Sequence, residues 1–342
     1  MEQRTRAVVA ALGIALIFLL VQLGALALVG PFEQAGLQAT ENPQSATNSI
    51  AYIGALLVMT GFMLVAFKYD LDVVIRGLVV FVSGYIGVIV LAAVVPTGIA
   101  PVAGASALAW AAAGAMVLGL VVHPEWYVID AAGTLMGAGA AGLFGISFGV
   151  LPALLLLTAL AVYDAISVYG TEHMLTLAEG VMDLRVPVVL VVPLSLSYSF
   201  LDAETPESVK ETQSESADGA TDDANGGDTD KQEPDSETPL DRDALFIGLG
   251  DAVIPTVLVA SAAAFAPTSV STVAAGGLAV PVTAIGAMVG TWLGLAVLLR
   301  MVLRGRAHAG LPLLNGGAIA GYLLAALASG LSVAQAVGFA GV

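Results

Sequence analysis

Nine stretches of this chain are apolar for as long as a helix needs to cross a hydrocarbon core of roughly 30 Å, which leaves the chain few ways to fold. They cover residues 7–29, 50–67, 73–95, 102–122, 128–148, 150–169, 244–266, 270–299 and 311–331. Inside lipid every backbone N–H and C=O must find its partner within the protein, and for runs of this length that means helices. With 58% hydrophobic and only 11% charged residues, the chain falls outside the range of water-soluble domains. The expected fold is an all-α polytopic membrane protein of about nine transmembrane helices in the cell membrane. Arg4 and Arg6 precede the first run as they would in a secretory signal, but the run is too long for a signal's apolar region and reads as a retained helix. The 270–299 run is longer than one crossing needs and contains Pro281.

Basic residues orient such a ladder, because Lys and Arg collect in cytoplasmic loops. With the N-terminus in the cytoplasm, Arg4, Arg6, Lys68, Arg76, Arg185, Lys210, Lys231, Arg242, Arg300, Arg304 and Arg306 all fall on the cytoplasmic side. The C-terminus is then outside. Most of the net charge of −16 comes from 202–243, where fifteen acids face Lys210, Lys231 and Arg242 among Ser, Thr, Gly and Pro. Such a composition cannot build a core and reads as a disordered, solvated loop. It divides the chain into helices one to six over 1–170, an interfacial helix and a candidate substrate-pairing strand over 171–201, the acidic cytoplasmic loop over 202–243, and helices seven to nine over 244–342. Cysteine is absent, which excludes disulfides, thiolate metal sites and a cysteine nucleophile.

Two lone acids stand inside apolar runs, where a carboxylate is costly and marks a site. Asp164 lies about six residues before the cytoplasmic end of helix six, and Asp251 about seven after the start of helix seven. At 1.5 Å per residue both are roughly 9 to 10 Å deep, and consecutive antiparallel helices are usually neighbours. Like charges held close in low dielectric do not both ionise cheaply, so such a pair shares one proton. Gly248 and Gly250 flank Asp251, and Pro255 follows. These residues loosen the turn and leave room for a substrate backbone; Gly133 and Gly137 carry the plainer reading of close helix packing. The β-branched segment 186–193, bounded by Pro187 and Pro193, reads either as an edge strand that an extended substrate joins or as a short re-entrant segment. His123, Glu125 and Asp130 read as a solvated junction, and Glu172, His173, Glu179 and Asp183 as hydrated interface. No metal-ligand spacing stands out, and neither metal nor cofactor is expected. On these grounds alone a protease and a proton- or sodium-coupled carrier or channel stand level, with a non-catalytic scaffold third.

Tyr163-Asp164 in the sixth helix, Gly248-Leu249-Gly250-Asp251 in the seventh, and the hydrophilic loop between them resemble the presenilin and signal peptide peptidase family of intramembrane aspartyl proteases. The family's third signature, Pro-Ala-Leu at the start of helix nine, is represented by Ala309-Gly310-Leu311-Pro312, which keeps the Leu and the following Pro, or in another register by Pro312-Leu313-Leu314. Prepilin peptidases share the GxGD element but not the other two. The resemblance implies an endopeptidase that cuts transmembrane segments, with Asp164 and Asp251 catalytic and water as the nucleophile. It places Tyr163, Gly248, Leu249, Gly250, Leu311 and Pro312 against the substrate and makes Val188, Val189, Leu190 and Val191 its pairing edge, with Leu245 to Ile247 as a second candidate edge. Partners are then transmembrane substrates and the lipid bilayer, with no nucleic acid, and the oligomeric state stays open. The orientation is that of presenilin rather than of signal peptide peptidase, whose topology is inverted, so substrates would enter with their N-termini outside.

Overall fold

The computed structural model describes residues 2–69, 71–95, 101–102, 105–170, 187–194, 198–199, 201, 244–275, 277–303 and 309–339. The expected interfacial helix at 171–184 and the acidic loop at 202–243 lie outside the described residues, together with Glu172, His173, Glu179 and Asp183. Six helices come first: α1 (Glu2–Gln34), α2 (Thr47–Lys68), α3 (Asp72–Val94), α4 (Ala107–Val122), α5 (Trp126–Ser147) and α6 (Val150–Gly170). A two-residue hairpin, β1 (Pro101–Val102) with β2 (Ala105–Ser106), precedes α4. Beyond the acidic loop the chain runs through β4 (Ala244–Gly248) into α7 (Leu249–Ala264), then a hairpin of β5 (Thr272–Ala275) and β6 (Leu278–Pro281). It ends in α8 (Val282–Val302), α9 (Gly310–Ala328) and the single turn α10 (Val333–Ala336). Strand β3 (Val189–Pro193) pairs antiparallel with β4. Among the described residues, α1, α2, α3, α5, α6, α8 and α9 are long and apolar enough to cross a membrane, and α4 and α7 are shorter apolar helices. The protein is a mostly helical, multi-pass membrane protein.

Three apolar runs that read as uninterrupted helices begin instead as strands, each turning helical at a residue that favours the change. Ser106 caps α4 by accepting from the Ala109 N–H, Gly248 is extended at the start of α7 (φ −63, ψ 135), and Pro281 is extended at the start of α8 (φ −63, ψ 143). The segment around Asp251 is therefore strand and then helix. Sixteen helical residues span about 24 Å at 1.5 Å each, and β4 extends the apolar segment ahead of them.

Helix α7 is the centre of the bundle: Ala252, Val253 and everything from Pro255 to Ala262 is buried. Its core continues into α6 through Leu154 and Leu157 and into α9 through Ala318 and Tyr322. On another side Val253 and Ala260 pack with Ala25 and Leu28 of α1 and Ala138 and Ala141 of α5. Helices α8 and α9 pack backbone to backbone. A Cβ on Gly290 would meet the Gly317 carbonyl, one on Gly317 would meet the Gly290 carbonyl, and one on Gly286 would meet the Gly321 carbonyl. Small residues spaced by a turn are how helices attract one another in lipid, where no hydrophobic force separates them from their surroundings.

Candidate active site

Asp164 projects from α6 into the bundle and is 8% exposed, while Tyr163, one residue and about 100° earlier on the same helix, is 42% exposed. Asp251 is the third residue of α7, in the turn whose N–H groups have no helical partners of their own. Both acids arrive at the first turn of α9. The Leu311 N–H donates to Asp164 Oδ2 at 3.0 Å, and a Cβ on Gly310 would stand 3.5 Å from Asp251 Oδ2. Two carboxyls on different helices thus lie against consecutive residues. Leu311 can donate because it belongs to a first helical turn, where the N–H is otherwise orphaned and the helix dipole suits an acidic oxygen. Pro312 follows in that turn, at a position whose missing N–H costs the helix nothing.

The two registers left open for the third signature behave differently. Leu311 faces Asp164, whereas Leu314 is fully buried in the core and the Leu313 carbonyl lies where a Cβ on Gly294 of α8 would be. Of the glycines around Asp251, Gly248 would place a Cβ 3.5 Å from Oδ2, and Gly250 would place one in open space, with nothing within 4 Å. Leu249 looks the other way. Its Cδ1 lies 3.1 Å from the Cβ position of Gly137, and its N–H donates to the Val188 carbonyl at 2.8 Å. Pro255, one turn after Asp251, has no N–H for the Asp251 carbonyl, so the helix is loosened at the acid itself.

The β3–β4 register sets Val189 opposite Gly248, Leu190 opposite Ile247 and Val191 opposite Phe246. Antiparallel partners alternate between bonded and unbonded pairs, and the Leu249–Val188 bond fixes the phase. Leu190 and Val192 thus turn their backbone groups to β4, and Val189, Val191 and Pro193 turn theirs away. The Val191 N–H accordingly goes to α5, where it donates to Asp130 Oδ1 at 2.8 Å. Within 186–193 a strand forms over Val189–Pro193, in which Leu190 and Val191 are fully buried.

Other polar groups correct or extend the sequence reading. Asp130 and Glu125 are not solvated: they are 9% and 7% exposed, and Ser199 Oγ donates to Glu125 Oε1 at 2.6 Å. Burial by β3 and its flank, which are distant in sequence, hid this. Asn315, one turn after Leu311, donates from Nδ2 to the Leu157 carbonyl at 3.0 Å and so ties α9 to α6 beside the acids. It is a lone amide in an apolar run, and the rule that found the two aspartates would have found it too.

No curated protein sequence matches the chain. The family model for signal-peptide peptidase and presenilin aspartyl protease matches residues 15–331. Two solved structures of a presenilin family intramembrane aspartate protease are similar to it. The one in space group C222 is 33% identical with a TM-score of 0.60, covering 93% of this chain and 99% of its own. The one in P2 is 34% identical with a TM-score of 0.59, covering 93% and 97%. Sequence motifs, fold and the meeting of two acids agree with these matches, and the chain belongs to the signal-peptide peptidase and presenilin family of intramembrane aspartyl proteases.

Proposed function

We propose that Asp164 and Asp251 form the catalytic pair of this intramembrane protease and that it cuts transmembrane substrates whose N-termini lie outside the cell. The observation that carries the pair is the convergence of both carboxyls on Gly310–Leu311 from two different helices. One carboxylate takes a proton from water as its oxygen adds to the scissile carbonyl carbon. The other, protonated, hydrogen-bonds the carbonyl oxygen and stabilises the charge that develops there. As the resulting gem-diol collapses, the C–N bond breaks and the leaving nitrogen receives a proton from the pair. No group is carried between the steps except that proton.

A substrate helix hides its carbonyls in its own hydrogen bonds, so it has to unwind before water can attack. The two-stranded sheet beside Asp251 is suited to hold the unwound segment as a further strand. Strand β3 turns its outer backbone edge to α5 and β4 leads directly into the helix that carries Asp251, so β4 is assigned as the strand that the substrate joins, with Val188, Val189, Leu190 and Val191 supporting it from behind. The open space at Gly250 and the lack of a side chain at Gly248 give an extended backbone access to Asp251. Leu311 and Pro312, in the first turn of α9 against Asp164, and the 42% exposed Tyr163 are the further residues assigned to the substrate.

The decisive experiment uses protein reconstituted in liposomes with a single-span peptide. Wild type should release cut products, and Asp164→Asn and Asp251→Asn should each abolish them. Ion-dependent transport without cleavage would overturn the assignment in favour of a carrier.

The proposed orientation places the N-terminus in the cytoplasm, the C-terminus outside and the protein in the cell membrane. The absence of cysteine makes this simple to test. In intact cells a membrane-impermeant thiol reagent should label Val333→Cys and spare Tyr69→Cys, two positions that are 67% and 66% exposed. The reverse pattern would invert the topology and the direction of substrate entry.

A further inference from the structure

Asp130 is a buried acid that the catalytic scheme does not use. It sits one turn into α5, is 9% exposed, and accepts from the Val191 N–H, the one donor that β3 points at α5 from the middle of its outer edge. The next outward position is Pro193, which has no N–H to offer. A buried amide without an acceptor and a buried carboxyl without a donor are each costly, and here they satisfy one another. Further along the same face of α5, Gly133 and Gly137 receive the two segments that flank the site. A Cβ on Gly133 would stand 3.0 Å from Leu190 Cδ2, and one on Gly137 would stand 3.1 Å from Leu249 Cδ1. Asp130, Gly133 and Gly137 are three to four residues apart and line one side of the helix.

We propose that Asp130 is a positioning residue for cleavage: by fixing β3 on α5 it holds β4 in place, and through β4 sets which substrate bond lies opposite Asp251. The chain of contacts is short. Asp130 holds Val191, Val191 stands opposite Phe246, and β4 ends at Gly248, three residues before Asp251. Strand pairing tolerates no half-steps, since a slip of one residue turns every side chain to the opposite face. A β3 released from α5 can shift and carry β4 with it, and a substrate strand added to β4 would then present a neighbouring bond to the acids. The inference rests on the protease reading above.

The test uses the full-length protein in liposomes with the single-span peptide and maps cut positions by mass spectrometry. Asp130→Leu removes the acceptor and should lower cleavage at the wild-type bond about ten- to a hundredfold, with cuts appearing at adjacent bonds. Asp130→Asn keeps an acceptor oxygen and should keep the wild-type cut position. A second route does not touch α5: Val191→Pro deletes the donor at an outward position, where proline leaves the ladder to β4 intact. It should spread the cuts in the same way, and Asp130→Leu added to Val191→Pro should change the pattern no further. Should Asp130→Leu fail to fold, Val191→Pro and Asp130→Asn decide by themselves. A single unchanged cut position in Asp130→Leu or in Val191→Pro, or additive effects in the double variant, would overturn the proposal. Wild-type protein that cuts nothing would instead overturn the protease assignment.

Discussion

Helices α2 and α7 were both legible as apolar runs, and they occupy opposite ends of the range that this membrane fold allows. Among 22 residues, α2 buries only Ser49 and Ala66. Glycines Gly54 and Gly61 in it have open space where a Cβ would go, and Val58 is 72% exposed. Helix α7 is shorter, carries Gly250, Asp251, Pro255, Thr256 and Ser261, and is buried from Ala252 almost to its end. The lesson is that in lipid hydrophobicity says where a chain crosses but not which crossing is central. Buried polar residues say that, because each needs a hydrogen-bond partner that lipid cannot supply. Ser261 Oγ donates to the Phe148 carbonyl and Thr256 Oγ1 to the Ala252 carbonyl, and Asp251 lies between Gly248 and Gly310.

The largest effect that should separate the two regions comes from the acids. Asp251→Asn and Asp164→Asn keep shape and an acceptor oxygen, so the Leu311 N–H stays bonded while the proton chemistry is lost. Peptide cleavage should drop by a factor of about 10² to 10⁴, the usual scale of general acid–base catalysis, with thermal unfolding nearly unchanged. Cleavage retained in Asp251→Asn would remove α7 from the chemistry and leave it a core helix only, and cleavage retained in Asp164→Asn would remove α6 in the same way.

Next in size are the glycines. Gly290→Ala in α8 drives a methyl group toward the Gly317 carbonyl and to 3.0 Å from Gly321 Cα, and neither backbone can yield without separating α8 from α9. Overpacking of this kind costs about 1 to 3 kcal/mol. Because α9 begins at the residues that touch both acids, cleavage should fall along with the unfolding temperature. Gly54→Ala in α2 is the matching change at an open position and should stabilise by about 0.4 to 1 kcal/mol by restricting the unfolded chain. Equal effects of the two substitutions would dissolve the contrast between the helices.

Much of this was readable in advance, for reasons that differ by residue. Asp164 and Asp251 were found because a charge in hydrocarbon is an anomaly that needs no partner sequence to notice. The breaks before α4 and α8 were missed although Pro281 was visible, and the one before α7 was anticipated only as a candidate edge at Leu245 to Ile247, because a short apolar segment has the same composition whether it becomes strand or helix. What decided β4 was the distant β3 lying antiparallel to it, across forty-two residues of acidic loop from Asp202 to Asp243. Asp130 was misread for the same cause. It lies two residues inside an apolar run that begins beside a polar junction, and only the arrival of Val191 makes it an interior residue. Periodicity and hydropathy are local, and pairings made between distant segments are not.

Pro255 offers a sharper test of whether α7 is loosened on purpose. Pro255→Ala restores an N–H within reach of the Asp251 carbonyl and removes the ring that crowds it. An interior proline costs a helix about 3 kcal/mol, so the variant should unfold at a higher temperature. If the loosened turn lets Asp251 adjust to the substrate, cleavage should fall several-fold even as stability rises. A gain in both would mean that Pro255 is only tolerated.

The smallest expected effect belongs to the lipid face of α2, and its value lies in being paired with a large one. Val58→Ala removes two methyl groups from a side chain that is 72% exposed, so the transfer involved is from lipid to lipid and stability should move by no more than about 0.5 kcal/mol. Val58→Lys at the same site asks the bilayer to accept a charge, which insertion measurements put at about 2.5 to 3.5 kcal/mol for a helix centre. A surface exposed to water would show no such penalty, since Ala and Lys are both good helix formers there. Unfolding of both variants in lipid nanodiscs therefore reads directly whether the exposed valines and leucines of α2 meet lipid. A tolerant Val58→Lys would place a water-filled passage, or a partner with an acidic face, against this helix, and the difference between α2 and α7 would then be one of polarity rather than of depth in the bundle.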